Sequence, residues 1–314
     1  MVIYIIKKIV VFLLVLFLLS LISFSLVYFY ADFPANEATF KESYLLFYQQ
    51  FLSGELVITN QTENLFIQNI NHVLISTFEL FILTAICASI FGIPIGIAVG
   101  LTEKRNRNYI TKLICLILYA MPIVWIAILL VLLFYPNYTY SADTNIFSAI
   151  NALSMLDILL SNDSNKFRIL INELYYLSPI ILALTIQPCI MTIQLISQQV
   201  AEVIEQNYIR VIKIRENSSL KILIRHVLPN VLPKVIPQMA YNITTLLFSI
   251  MVAEILFNRI GLGIWVFTAF YGHYFTILAI AIFCCGAFIS FFTLLSDIAI
   301  VLLYPMRYKE LYES

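Results

Sequence analysis

Six stretches of about 20 or more predominantly apolar residues, near 9–30, 74–101, 110–135, 175–198, 236–257 and 276–304, govern what this chain can fold into. Each is long enough to cross a bilayer as a helix, and a backbone inside lipid has to satisfy its own N–H and C=O groups. An all-α integral membrane protein with six transmembrane helices follows. Composition closes off the soluble alternative: 61% hydrophobic residues, 11% charged residues and a mean hydropathy of +0.94 leave too little polar surface for a globule. The first stretch follows Lys7 and Lys8 and reads as a retained anchor, because residues 10–29 suffice to span and lack an obvious small-residue cleavage site.

An even number of crossings returns both ends of the chain to one side. Lys7, Lys8, Lys104, Arg105, Arg107, Lys112, Arg210, Lys213, Arg215, Lys221, Arg225, Lys234, Arg307 and Lys309 then share that side, leaving Lys41, Lys166, Arg168 and Arg259 on the other. Lys and Arg accumulate in cytoplasmic loops, so both termini are expected in the cytoplasm.

The densest basic run lies in 199–237, where six of those bases fall. Val200, Ile204, Tyr208 and Val211 recur at helical spacing before Glu216, Asn217 and Ser218 interrupt; Ser218 is a candidate N-cap for a second short helix carrying Leu220, Leu223, Ile224 and Val227. Pro229, Pro233 and Pro237 predict that this second helix stops near Leu228. Two short helices at an angle make a knob on which a partner outside the membrane can dock. An ordinary loop obeying the charge bias has the same composition.

Of the outer segments, the first carries Tyr44, Leu45, Phe47, Tyr48, Phe51 and Leu52, expected as a helical piece on the membrane surface or against another subunit. The second, 137–173, has apolar residues at helical spacing, and Asp157 and its shortness place it flat at the interface. In the third, Gly261 and Gly263 precede Trp265, Phe267, Phe270 and Tyr271, which fit either an aromatic belt or a short helix dipping back into the outer leaflet.

Within the spans, Ala88, Gly92, Gly96 and Gly100 repeat every four residues and present one nearly bare helix face for close packing. Pro94, Pro122 and Pro188 predict kinks or hinges. Three carboxylates fall in or at the ends of spans. Glu79 and Asp297 lie toward segment ends and reach the interface. Glu254 is deeper: it either lines an aqueous route or hydrogen-bonds to a neighbouring helix.

Other chemistry is absent from the sequence. There is no phosphate loop of the form GxxxxGK[ST], and His72, His226 and His273 stand apart without HExxH or CxxC companions. Five cysteines, all in apolar stretches, argue against a disulfide framework. No catalytic residue, metal or cofactor is expected.

Several segments together resemble the membrane-spanning subunits of ATP-binding-cassette importers of the dipeptide and oligopeptide type. They are STFELFILTAICASIFGIPIGIAVGL (76–101), with a T-x-E-L start and a G-I-P-x-G core, YAMPIVWIAILL (119–130), NYIRVIKIRENSSLKILIRHVLPNVLPKVIP (207–237), AEILFNRIGLG (253–263), and Asp297 followed by YPMRYKELY. The N-terminal stretch and the tail are most similar to Sap-type permeases, associated with antimicrobial-peptide uptake and with putrescine export. The resemblance implies the type I importer permease fold in the cell inner membrane, with residues 1–73 as anchor helix and periplasmic segment. Residues 74–314 would be the transmembrane domain, its coupling loop at about 199–237. It implies a second permease subunit in a heterodimer, two cytoplasmic ATP-binding subunits and a periplasmic solute-binding protein as partners, with no nucleic acid. Tyr208, Arg210, Lys213, Arg215, Glu216, Arg225 and His226 become candidates for coupling to the ATPases, and Glu254 for the translocation pathway. The chain departs from the family pattern at Ile212, Ile214 and Glu216, where small residues and a glycine are usual, and at Ile260, where proline precedes G-L-G. Polyamine export, a non-transporting scaffold and a membrane enzyme are the competing readings.

Overall fold

The apolar stretches become long helices because an unbroken run of aliphatic and aromatic side chains finds no polar surface to interrupt it. The computed structural model describes residues 2–30, 39–53, 70–102, 105–134, 158–159, 165–216, 218–257 and 259–303. Its elements are α1 (Val2–Tyr30), α2 (Phe40–Ser53), α3 (Ile70–Leu101), α4 (Arg105–Ala120), α5 (Ile123–Phe134) and α6 (Lys166–Ile204). These are followed by α7 (Asn207–Arg215), α8 (Ser219–Ile222), a π-helical turn (Leu223–Val227), α9 (Leu228–Leu256), α10 (Leu262–Tyr271) and α11 (Phe275–Leu303). Among the described residues there is no strand.

Four helices are long and apolar enough to cross a membrane, over Ile3–Tyr30, His72–Leu101, Leu177–Ile204 and Phe275–Leu302. A fifth crossing arises if α4 and α5 count as one, although they are bent by 90°. The third expected span is therefore not a straight helix. Pro122 has no N–H to continue α4, and its carbonyl instead accepts from Trp125 and Ile126 at the start of α5. Pro94 and Pro188 sit inside α3 and α6, which run on through them. The fifth expected span belongs to α9, whose apolar part is the shorter Asn242–Leu256.

The prolines after Val227 do not stop the helix as the sequence predicts. A π turn widens the backbone at Leu223–Val227, the Leu228 N–H reaches the Leu223 carbonyl five residues back, and Pro229 falls in the first turn of α9, where a donor is dispensable. Pro233 and Pro237 are carried inside α9.

At the centre, α6 packs lengthwise on α3, and the glycines explain how closely. A Cβ on Gly92 would lie 2.9 Å from Thr192, one on Gly96 3.0 Å from Ile196, and one on Gly100 2.7 Å from Val200. The core continues through Leu80, Leu177, Leu184, Leu246 and Ile250, which join α3, α6 and α9. α11 lies beside α9, and α1 lies beside α11 with Leu19 against Gly286. The aromatic patch of the first outer segment packs on its own chain: Tyr44 and Tyr48 place their hydroxyls 2.7 and 2.9 Å from Ser20 and Ser23 of α1, and Phe51 meets Phe283 of α11. Burying tyrosine this way is stable because both hydroxyls keep partners.

These contacts give the bundle two ends. At one, the loop end, Val200 meets Gly100, Lys234 pairs with Glu202 at 2.8 Å, and Lys8 pairs with Asp297 at 2.9 Å. At the far end, Thr77, Glu254 and the start of α10 meet. Of the interface stretch expected over 137–173, residues 137–157 and 160–164 lie outside the described residues, and from Lys166 the chain is already part of α6.

Candidate functional site

At the loop end the knob is built on one buried residue. Ile209 of α7 is wholly buried among Ile196, Val200, Val203, Ile222, Val227, Val231 and Val235, so the short helix is pinned to the roots of α6 and α9. The side of α7 and α8 that faces away is apolar: Val211, Ile214, Leu220 and Ile224 are 59, 84, 69 and 64% exposed. Arg210, Arg215 and Arg225 stand exposed around them. An apolar surface rimmed by cations is costly to leave in water and fits a protein partner. Tyr208, half exposed, accepts a hydrogen bond from Asn230 Nδ2 at 3.0 Å, and the same amide donates to the His226 carbonyl at 2.8 Å, tying α7 to the first turn of α9. His226 lies in the π turn and Lys213 on α7; Glu216 directly follows α7, its N–H bonded to the Ile212 carbonyl. Ser218 takes the N-cap position of α8 without a side-chain capping bond.

The far end is a polar cap built from two of the sequence segments singled out above. The first amides of any helix lack intrahelical partners. In α10 they are met from other helices: Leu262 N–H donates to Thr77 Oγ1 at 2.8 Å and Gly263 N–H to Glu254 Oε2 at 2.7 Å, while the Thr77 hydroxyl donates to Glu254 Oε1 at 2.7 Å. A carboxylate beside a helix N-terminus is also favoured by the helix dipole. Glycine is required here by close approach: a Cβ on Gly261 would lie 2.2 Å from the Glu254 carboxyl, and one on Gly263 2.1 Å from the Met251 carbonyl.

Behind this cap Arg259, only 4% exposed, points its guanidinium at Glu79 of α3, 3.6 Å away, with Glu173 of α6 and Glu254 also acting on it electrostatically. One cation thus serves three carboxylates from three helices. Burial pushes the Glu173 carboxyl above its ordinary range; Arg259 opposes that rise and Glu79 adds to it.

Of the residues singled out in sequence, Tyr208, Arg210, Arg215, Arg225 and His226 are gathered at the loop end, with Lys213 on the same short helix. Gly92, Gly96 and Gly100 line the α3–α6 contact. Glu254 sits in the cap, 1% exposed and hydrogen-bonded to its neighbours. Glu79 is buried in an ion pair with Arg259, whereas Asp297 meets Lys8. Sequence reasoning gave no site role to Thr77, Glu173, Arg259 or Asn230, although Thr77 opens the T-x-E-L start. A signal for Arg259 existed: it is the one lysine or arginine in 256–275, five positions after Glu254.

Residues 92–307 match the family of binding-protein-dependent transport system inner membrane components. The chain belongs to that family. It is 26% identical over 99% of its length, and 99% of the relative's, to the putrescine export system permease protein SapB of Escherichia coli K12. The figures are the same for the peptide transport system permease protein SapB of Salmonella typhimurium. To the di/tripeptide transport system permease protein DppB of Pseudomonas aeruginosa it is 23% identical, over 71% of this chain and 69% of the relative. Family membership and the apolar helices make this a multi-pass inner-membrane transport component.

Proposed function

We propose that this chain is one of two permease subunits of an ATP-binding-cassette peptide importer. It crosses the inner membrane six times, through α1, α3, the bent α4–α5 pair, α6, α9 and α11, in the type I arrangement, with the loop end and both termini in the cytoplasm. Residues 1–73 supply the anchor helix and periplasmic segment and 74–314 the transmembrane domain. The observation that carries the reading is the knob: an apolar, arginine-rimmed surface on α7 and α8, pinned by Ile209 and joined to α9 through Tyr208 and Asn230. Peptide as cargo rests on the similarity to relatives named for peptide transport.

In this mechanism two ATPases grip the knobs of this chain and of a second permease, with Tyr208, Arg210, Lys213, Arg215, Glu216, Arg225 and His226 at the contact. Their closure on ATP moves α7, and α9 carries the displacement along its length to the cap at the far end, so that access alternates between the two sides. Glu254 holds α10 in the closed cap and offers a carboxylate to a cationic solute when the cap opens. A periplasmic solute-binding protein delivers cargo to that end.

Vesicles carrying the whole complex test this with labelled cationic peptide and labelled putrescine. Peptide is expected to accumulate on the ATPase side when ATP is supplied. Arg215→Glu, or deletion of 216–219, should abolish that flux while the chain stays inserted; unchanged flux in both overturns the docking assignment. Putrescine moving the opposite way without peptide flux overturns peptide import in favour of polyamine export, the name one relative carries.

A further inference from the structure

α1 and α11 touch where Leu19 meets Gly286: a Cβ on the glycine would lie 2.7 Å from the end of the Leu19 side chain, which would have to move aside. Toward the loop end the contact opens into a groove of about 220 Å³. Lys8, Val11, Phe12 and Val15 form its α1 wall, and Ile289, Ser290, Thr293, Leu294 and Asp297 its α11 wall. On α1, and on α11 from Ser290 onward, these positions follow i, i+3, i+4, i+7 spacing, so the groove runs along the helix axes for roughly 10 Å, about two-thirds of one leaflet's hydrocarbon depth. Five of these nine side chains are apolar, and Ser290 and Thr293 add two hydroxyls on α11. The mouth of the groove carries one cation and one anion, Lys8 and Asp297, 2.9 Å apart with side chains 34 and 24% exposed. The Lys8 ammonium lies 5.5 Å from the centre of the Tyr4 ring.

A slot lined mostly by Val11, Phe12, Val15, Ile289 and Leu294 and doubly charged at one end matches a phospholipid better than a soluble ion, which would leave those apolar side chains uncovered. The paired charges narrow the headgroup further. An anionic headgroup would set its net charge against Asp297, whereas a headgroup with a phosphate and a primary ammonium can turn the phosphate to Lys8 and the ammonium to Asp297. Lys8 is at headgroup depth: the 22 residues from Lys8 to Tyr30 rise about 33 Å, close to the hydrocarbon thickness.

We infer that the groove between α1 and α11 at the loop end is a binding site for an aminophospholipid, with Lys8 holding its phosphate, Asp297 its ammonium, and the slot one acyl chain. This rests on α1 and α11 crossing the bilayer and not on what the complex transports.

The test uses the full chain in vesicles containing phosphatidylethanolamine with a photoactivatable diazirine on one acyl chain, followed by mapping of the labelled peptides. Adducts should concentrate on residues 8–15 and 289–297, and unlabelled phosphatidylethanolamine should compete about tenfold better than phosphatidylglycerol. Val15→Trp fills the slot from α1 and Thr293→Phe fills it from α11, so each should remove the focused labelling while Leu13, Leu14 and Phe17, exposed on the rest of α1, are labelled as before. Labelling spread evenly over α1, or equal competition by phosphatidylglycerol, overturns the inference. Focused labelling that appears only with the purified chain and vanishes when the second permease is bound shows that a protein side chain owns the groove, and overturns it as well.

Discussion

Arg259 decides much at the level of single residues. A guanidinium taken out of water is stable only if opposed, and here Glu79, Glu173 and Glu254 oppose it from three helices. The arrangement is acid-rich, with one cation for three carboxyls; Glu254 is satisfied by Thr77 and the Gly263 amide, and burial raises the Glu173 pKa while Arg259 opposes that rise. A pH prediction follows from Glu173. Its folded pKa is raised by burial, so its contribution is fully present below the ordinary carboxylate range and is lost as pH rises through the elevated folded value. Thermal unfolding of the detergent-solubilised chain between about pH 4 and 8 should show stability falling with rising pH from this group, and Glu173→Gln should flatten that slope. An identical slope in the variant assigns the pH dependence to other groups.

Among elements, the α3–α6 pair is the spine, and its glycines set the distance between the two helices. Gly96→Leu places a branched side chain where Ile193 and Ile196 already stand, and the overpacking should cost about 1–3 kcal/mol, read as a lower unfolding temperature. Replacing Ala98, exposed on the opposite face of α3, by leucine should leave it unchanged; equal loss in both variants would mean that the spacing matters less than helix bulk. That face was legible in the sequence because a four-residue repeat of small side chains has few other uses in a membrane helix. The knob was legible in part, from spacing and charge, but the break at Glu205 and Gln206, which leaves Val200 and Ile204 in α6 and puts Tyr208 and Val211 in α7, was not. The passage through Pro229, Pro233 and Pro237 was not: local rules end a helix at proline, and what overrides them is a π turn whose wider hydrogen bond shows in no residue type. The cap was only half legible. Glu254 stood out as a charge in an apolar run, but its partner Thr77 lies 177 positions away, and Thr77 in turn accepts from Leu262, 185 positions on, across a fold that no local pattern encodes.

Across the whole molecule, charge and packing assign the two ends different tasks. Exposed arginines and an apolar knob gather at the loop end, while at the far end the polar atoms turn inward to hold α10. α9 joins them as one helix of 29 residues, starting beside Tyr208 and ending beside Arg259, so a displacement of the knob has a continuous path to the cap. That path has a function only if the two ends face different compartments. The proposed sidedness, with the loop end in the cytoplasm, is supported by the distribution of basic residues in the sequence, and it is tested by two single cysteines in a chain whose five native cysteines have been replaced. Ser218 stands exposed between α7 and α8, and Tyr271, 81% exposed, ends α10. An impermeant thiol reagent added to intact spheroplasts should label the chain carrying Tyr271→Cys and spare the one carrying Ser218→Cys until the membrane is opened. Labelling of both from outside would abolish the six-crossing arrangement, and labelling of Ser218→Cys alone would invert it, placing the knob where no ATPase could reach.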